Sequence, residues 1–315
     1  MERILVTGLD TVTGGNLAAT WASRAQVTGL ASRRPVEIVD VDCRGLAPTT
    51  ADAIESLLAQ INPTRLVCVG PAADSCWDIA ESRLPGSLAD QATLWAAAAS
   101  RRSIPLTYIS SDAVFTGPWL FHREQGTCYC NSHGARLLRA AEAAVTERCP
   151  EALILRTHTY GWSPSSSDAD PGPLEAMLAS LAAGETVGRE YFRHATPILA
   201  TDLADMLPRC WQAELSGLYH LAGAERVNPF RLACLIADEF QLPASLVEPL
   251  EVAIDRRKAF GGGETSLQTR RIRKQVDLAL PLLREGITRL RDQFDSGYRD
   301  RFQPISAAPL LERAA

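Results

Sequence analysis

Residues 1–18 read MERILVTGLDTVTGGNLA, and the order of residue types in this stretch assigns the fold. The apolar run Ile4-Leu5-Val6 stops at Thr7-Gly8, and after a short loop Gly14-Gly15-Asn16-Leu17-Ala18 opens a helix. A buried strand, a glycine turn and a helix start therefore follow one another within a single βα unit. In open α/β proteins such a turn holds a dinucleotide pyrophosphate against the first N–H groups of the helix, where the macrodipole favours anions. The usual pattern sets three glycines three residues apart. Here the positions are Gly8, Thr11 and Gly14, so a branched side chain stands where the backbone normally approaches the phosphates.

Strand-like and helix-like runs alternate outward from this unit. Strands are predicted over 4–8, 27–31, 36–41, 65–70, 106–111 and 152–158, and helices over 14–24, 51–61, 88–100 and 131–148. In the second helix Ile54, Leu57, Leu58 and Ile61 recur at three-four spacing. This βαβ rhythm implies a doubly wound, Rossmann-type parallel sheet covered on both faces, with right-handed crossovers. Beyond Tyr160 the rhythm breaks. Residues 161–172, rich in Ser, Asp and Pro, read as a flap over a site. Helices follow at 174–183 and 200–214, a strand at 217–222, and helices at 229–240 and 278–294. The expected organisation is a dinucleotide-binding domain over 1–159, to which 198–223 returns. A smaller, mostly C-terminal substrate lobe takes 160–197 and 224–302, and 303–315 is a tail.

With 315 residues, 46% hydrophobic and 22% charged, the chain has ordinary globular composition and enough length for a large core. A net charge of −5 points away from nucleic acid and anionic membranes as partners. The N-terminus enters a strand without a charged n-region, and no apolar run is long enough to span a bilayer, so a cytoplasmic protein is expected. Eight cysteines without small-scaffold spacing read as reduced thiols. Cys128, Cys130 and His133 are close in sequence but lack a fourth ligand and a zinc spacing, so no metal is expected.

Where NAD-preferring sites place a carboxylate after the second strand, this chain has Arg33 and Arg34. They either receive a 2′-phosphate or are solvated loop arginines. Asp42 either accepts from an adenine amino group or caps a turn.

Longer landmarks point to a family. Ile4-Leu5-Val6-Thr7-Gly8, then Gly70-Pro71-Ala72-Ala73 with Asp74 and Asp78-Ile79-Ala80-Glu81, and Ile109-Ser110-Ser111-Asp112-Ala113-Val114-Phe115-Thr116-Gly117 occur in this order. They are followed by Leu155-Arg156-Thr157 with Tyr160-Gly161, Pro197-Ile198 with Asp202-Leu203-Ala204, residues 217–223 (GLYHLAG) and Leu283-Arg284-Glu285-Gly286-Ile287. Together they resemble the extended short-chain dehydrogenase/reductase family, in its dTDP-4-dehydrorhamnose reductase branch, over nearly the whole chain. The resemblance implies NADP(H) as cofactor and hydride delivery to the C4 ketone of a nucleotide-linked deoxysugar. In that family a Tyr gives the proton, a Lys four residues later lowers the Tyr pKa, and a Ser or Thr steadies the carbonyl. The partner implied is a nucleotide sugar or related carbonyl compound, and a homodimer is compatible with this reading.

On this resemblance Ser111 fills the Ser/Thr position, whereas His133 stands at the Tyr position, Leu137 at the Lys position, and Ala89 at an expected Asn. With Thr11 these departures all fall at the cofactor or the proton-transfer site. Three readings follow: His133 is the general acid, with Arg136 supplying the missing cation; Tyr129, one turn before His133 if the helix includes it, forms a displaced Tyr–His pair; or His133 stands beside a site without catalysis. Gly8, Thr11, Gly14, Arg33, Arg34, Asp42, Ala72 and Arg136 are the candidate cofactor contacts. Ser110, Asp112, Arg156 and His194 are candidate substrate contacts, with an interior ion pair the other reading for Arg156. Arg256, Arg257, Lys258, Arg270, Arg271, Arg273 and Lys274 either receive a diphosphate or form solvated faces. The function expected is NADP(H)-dependent reduction with an altered proton donor. The alternatives are a non-catalytic nucleotide- or nucleotide-sugar-binding protein, such as a regulatory subunit, and a non-redox lyase or isomerase using the same cleft.

Overall fold

The computed structural model describes residues 1–303 except 166, 168, 169, 252–254, 256, 257 and 278. Of the predicted tail, 303–315, all but Gln303 lies outside the described residues, as do two of the basic residues, Arg256 and Arg257. Seven parallel strands form the central sheet: β1 (Arg3–Thr7), β2 (Gln26–Ala31), β3 (Asp42–Leu46), β4 (Arg65–Val69), β5 (Leu106–Ser111), β6 (Leu153–Thr157) and β7 (Gly217–His220). Their spatial order is β7-β6-β5-β4-β1-β2-β3. The order reverses at β1, and the crevice outside the carboxyl ends of β1 and β4 is where doubly wound sheets bind ligands.

Alternation along each strand divides the core. Ile4 and Val6 of β1 face one side, with Leu17 and Trp21 of helix α1 (Val12–Trp21) and Leu203 and Leu207 of α6 (Ala200–Gln212). Leu5 faces the other side, with Ile54 and Leu58 of α2 (Ala51–Ile61), Trp95 of α3 (Leu88–Arg101) and Leu138 of α4 (His133–Arg148). Such strands read as unbroken apolar runs because both faces are buried. The Trp21 indole N–H donates to the Ala204 carbonyl (2.9 Å) and ties α1 to α6.

A separate small core gathers Trp162, Met177 and Leu181 of α5 (Pro173–Ala182), Leu232 and Ile236 of α7 (Pro229–Glu239), and Ile287 and Leu290 of α9 (Leu283–Asp295). Two short parallel pairs not legible as strands accompany it: Val187–Glu190 with Val247–Leu250, and Thr159–Tyr160 with Ile198–Leu199. The last long helix begins at Leu283 rather than 278. Pro281 precedes the start, and Glu285 turns back to accept the Leu282 N–H (2.9 Å).

The third sheet strand corrects the sequence reading. Residues 36–41 do not join the sheet; within them Glu37–Ile38 pairs antiparallel with Phe302–Gln303. Their apolar character comes from Val36 and Ile38, which pack into the α1 face of the core. The sheet strand is Asp42–Leu46, paired with β2. It is an edge strand with alternating exposure, which requires no apolar run. The helix Arg270–Val276, which we call α8, also escaped the sequence pattern. It buries Ile272 while Arg271 donates to the Leu218 carbonyl (2.7 Å) and stacks over the Tyr219 ring (4.2 Å). That basic cluster is therefore a helix face docked on β7.

Candidate active site

At the carboxyl ends of the strands two recesses adjoin. A cleft of about 510 Å³ is lined by Asp10, Val12, Asp74, Asp78, Tyr160 and Asp170, among others. A more apolar recess of about 240 Å³ is lined by Thr7, Ala47, Val69, Pro71 and Trp95. Arg33 and Arg83 line both, so the two spaces meet at these guanidinium groups.

The β1–α1 turn forms the floor of the cleft. Gly8 has φ +78°, and a Cβ there would lie 2.7 Å from the Val69 carbonyl oxygen, which explains a glycine at this position. A Cβ on Gly14 would lie 2.2 Å from the Gly8 oxygen. Thr11 is fully buried and caps α1: its hydroxyl donates to the Gly8 carbonyl (2.7 Å) and accepts the Gly14 N–H (2.9 Å). The two donors before Gly14 are also occupied. Asp74 Oδ2 accepts the Val12 N–H (2.9 Å), and Asp74 Oδ1 accepts the Thr13 N–H (2.8 Å) and the Thr13 hydroxyl (2.7 Å). Burial pushes the Asp74 carboxyl above the usual carboxylate range against these hydrogen bonds, and the nearby Asp10 charge adds to the rise.

A second carboxylate occupies the end of β2. Asp10 is buried and accepts the N–H groups of Ser32 (2.5 Å) and Arg33 (3.1 Å), with the Arg33 guanidinium 3.6 Å away. Arg34 reaches across to the 161–172 segment, donating to Asp170 (2.6 Å) and Ser165 (2.9 Å). Pro164 packs over the helix start, since a Cβ on Gly15 would meet its ring at 2.6 Å. As the turn stands, the Asp74 carboxylate occupies the Val12 and Thr13 N–H groups that a dinucleotide pyrophosphate would use.

Asp42 lies at the amino end of the edge strand, opposite Thr28, and binds Arg44 (2.8 Å). That is the wrong end of the sheet for an adenine contact, because the ligand crevice lies at the carboxyl ends. Ala72 is buried in the core beside the apolar recess. Ala89 stands in the first turn of α3, where its carbonyl accepts the Thr93 hydroxyl (2.8 Å).

The residues expected to move a proton are dispersed. α4 begins at His133 with Ser132 as its cap, so Tyr129 is not on the helix and cannot form an i, i+4 pair with His133. Tyr129 instead bridges to Phe115, stacks on its ring at 5.7 Å, and lies under the Arg139 guanidinium. His133 is exposed at the first helical position, Arg136 is exposed and folds back on the Asn131 carbonyl (2.9 Å), and Leu137 packs against the core. Both lysines of the sequence, Lys258 and Lys274, are outside α4 and do not line the cleft. The Ser111 hydroxyl caps the turn that follows β5, accepting the Ala113 N–H (3.1 Å) and donating to Asp112 (3.3 Å).

Behind these positions are two buried networks. Glu142 accepts from Ser110 (2.6 Å) and from Arg156 Nε (2.9 Å) and Nη2 (2.6 Å), an interior ion pair under the Phe115 ring. Asp112 accepts from His158 Nδ1 (2.9 Å) and from the Thr265 hydroxyl, which also donates to the His194 carbonyl (3.1 Å). Cys76, Asp112 and His158 bring ligand-type atoms within 4.8 Å of one another, all buried; among the described residues this is the set that converges, rather than Cys128, Cys130 and His133. The Nδ1–Oδ2 distance is that of a hydrogen bond, and burial with the Asp112 charge holds the Cys76 thiol well above its ordinary range. Sequence reasoning gave Asp10 no role and read Asp74 only as part of the landmark after the fourth strand. Both are short acids in a loop, with only the glycine turn to suggest what they face.

Comparisons agree with this architecture. The family described as RmlD substrate binding domain matches residues 1–296. The chain is 28% identical over 202 residues to "Probable low-salt glycan biosynthesis reductase Agl14" of Haloferax volcanii, covering 63% of this chain and 67% of that protein. It is 29% identical over 150 residues to the methionine adenosyltransferase 2 subunit beta of Xenopus laevis, spanning 46% of this chain and 45%, under half, of that protein. The crystal structure of dTDP-4-dehydrorhamnose reductase from Bacillus anthracis in complex with NADP superposes with a TM-score of 0.76 at 20% identity, covering 93% of this chain and 99% of that one. A sheet order reversing at β1, a glycine turn at the reversal and a match over residues 1–296 lead to one conclusion: the chain belongs to the RmlD substrate binding domain family, the dTDP-4-dehydrorhamnose reductase-like proteins.

Proposed function

We propose that this chain is a nucleotide-binding member of its family: the cleft receives NADP(H) or a nucleotide sugar, and the reductase proton relay is absent. The observation that carries the reading is the pair of adjoining recesses sharing Arg33 and Arg83. An apolar slot suits a planar base, and guanidinium groups at its mouth suit phosphate. Against hydride transfer stand an exposed His133 and a core-packed Leu137 at the dyad positions, since a Tyr needs a neighbouring cation to give up its proton near neutral pH. The second reading, NADP(H)-dependent reduction with Ser111 orienting the carbonyl and His133 as donor, is favoured by the reductase relative.

Calorimetric titration with NADP+ and UDP, with NADPH oxidation followed on a dTDP-4-dehydro sugar, separates the two. Binding without oxidation is expected. Oxidation that disappears in His133→Ala would replace the binding reading with the reductase one.

A further inference from the structure

The N–H groups opening α1 are satisfied from within the chain: Val12 and Thr13 by Asp74, Gly14 by the Thr11 hydroxyl, and Gly15 by the Thr11 carbonyl (3.0 Å). In a doubly wound fold the first of these donors are the ones offered to a ligand's phosphates. Asp74 is not there by chance orientation. Its backbone bridges to Thr159, whose hydroxyl lies 2.5 Å from the Thr13 hydroxyl and donates to the Ala73 carbonyl (3.1 Å). The carboxylate is thus held by β4's following loop on one side and by the segment after β6 on the other. Asp10 repeats the arrangement at the end of β2 by accepting from Ser32 and Arg33. Two internal anions stand where an external one would bind.

We propose that Asp74 is a built-in anion that closes the phosphate cradle, so that a phosphate-bearing ligand binds at α1 only by displacing this carboxylate, and Asp74 thereby sets the site's affinity for phosphates. A diphosphate and the carboxylate compete for the same two N–H groups, and like charge keeps both from sharing them. Arg33, Arg34 and Arg83 remain at the cleft wall and attract a phosphate as far as the entrance; Asp78 and Asp170 on the same wall oppose it. Thr11 supports the closed state by filling the space a glycine would leave and by fixing the turn through the Gly8 carbonyl.

The proposal rests on the cleft being a nucleotide site, and a paired titration keeps the two ideas apart. The full chain as wild type, Asp74→Ala and Asp74→Asn is titrated by calorimetry with inorganic pyrophosphate and separately with NADP+, with circular dichroism and thermal midpoints as the check on folding. Wild type is expected to bind pyrophosphate weakly, in the millimolar range. Asp74→Ala tightens it at least tenfold, and Asp74→Asn, which keeps the size without the charge, gives a smaller gain; should Asp74→Ala not fold, Asp74→Asn carries the comparison. Pyrophosphate affinity within twofold of wild type in the folded variants overturns the proposal. A gain for pyrophosphate with no NADP+ binding in any variant supports the closed cradle and removes the dinucleotide reading. Tight NADP+ binding by wild type, unchanged in Asp74→Ala, does the reverse.

Discussion

Glu142→Gln is the substitution whose cost the structure specifies most closely. The Glu142 and Arg156 side chains are 8% and 3% exposed, and the carboxylate takes both a guanidinium fork and the Ser110 hydroxyl. Glutamine keeps the shape and one acceptor but removes the charge, leaving the Arg156 guanidinium buried without its counter-ion. Breaking a buried pair by removing one partner costs about 3–5 kcal/mol. The weakened Ser110 bond adds about 1 kcal/mol. Against a total stability of about 5–15 kcal/mol for a domain, the change is a large fraction. Glu142→Met with Arg156→Met removes both charges and fills the space with apolar atoms, so the double variant should recover most of the loss, remaining below wild type by about 1–3 kcal/mol for the Ser110 hydroxyl left without its acceptor. Urea unfolding followed by tryptophan fluorescence gives the midpoints, and an unchanged slope shows that the unfolded state is comparable. A loss below about 1 kcal/mol in Glu142→Gln would refute the argument that the ion pair is desolvated. A double variant as unstable as the single would refute the claim that the orphaned charge is what costs.

Two further outcomes are expected. Burial, aided by the Arg156 charge, pushes His220 down to about 3 from 6.5. Between these values the unfolded imidazole binds a proton that the native one does not, so stability present at neutral pH is lost as pH falls below 6.5, by about 1.4 kcal/mol per unit. His220→Phe should flatten the difference between midpoints at pH 7 and pH 5, and an equally steep loss in the variant would assign the acid sensitivity elsewhere. Gly14→Ala drives a methyl to 2.2 Å from the Gly8 oxygen and should cost more than about 2 kcal/mol, read as a fall in thermal midpoint; a change under 1 °C would mean that the turn relaxes freely.

The parallel sheet was legible because both faces of its inner strands are buried: Ile4-Leu5-Val6, Leu66-Val67 and Ile109 read as strand whichever side each residue faces. Asp42–Leu46 was not legible, because an edge strand half in solvent carries no apolar run, and Val36 with Ile38 supplied a false one nearby. In the candidate site, the positions of Gly8, Gly14 and Arg33 followed from the spacing of the turn and from the residues after β2. The start of α4 did not: Asn131-Ser132-His133 contains two good capping residues, the cap is Ser132, and Tyr129 precedes either one and so stays off the helix. An interior ion pair was one of the two readings of Arg156; its partner was not legible, because Glu142 lies fourteen residues away and projects from α4 onto β6.

Thr11 and Asp74 gain meaning when considered together. A helix start leaves donors that must be satisfied whether or not a ligand is present, and a glycine at position 11 would leave that task to water or phosphate. In this chain Thr11 supplies an acceptor to Gly14, and Asp74, sixty-odd residues later, supplies two more to Val12 and Thr13. Each residue alone would be a local oddity. Jointly they convert a ligand-dependent helix start into one that is complete on its own, and the desolvation that pushes Asp74 up shows that the arrangement has an electrostatic cost. On the closed-cradle proposal, the affinity gain on removing Asp74 is the quantity that separates an open cofactor site from a closed one.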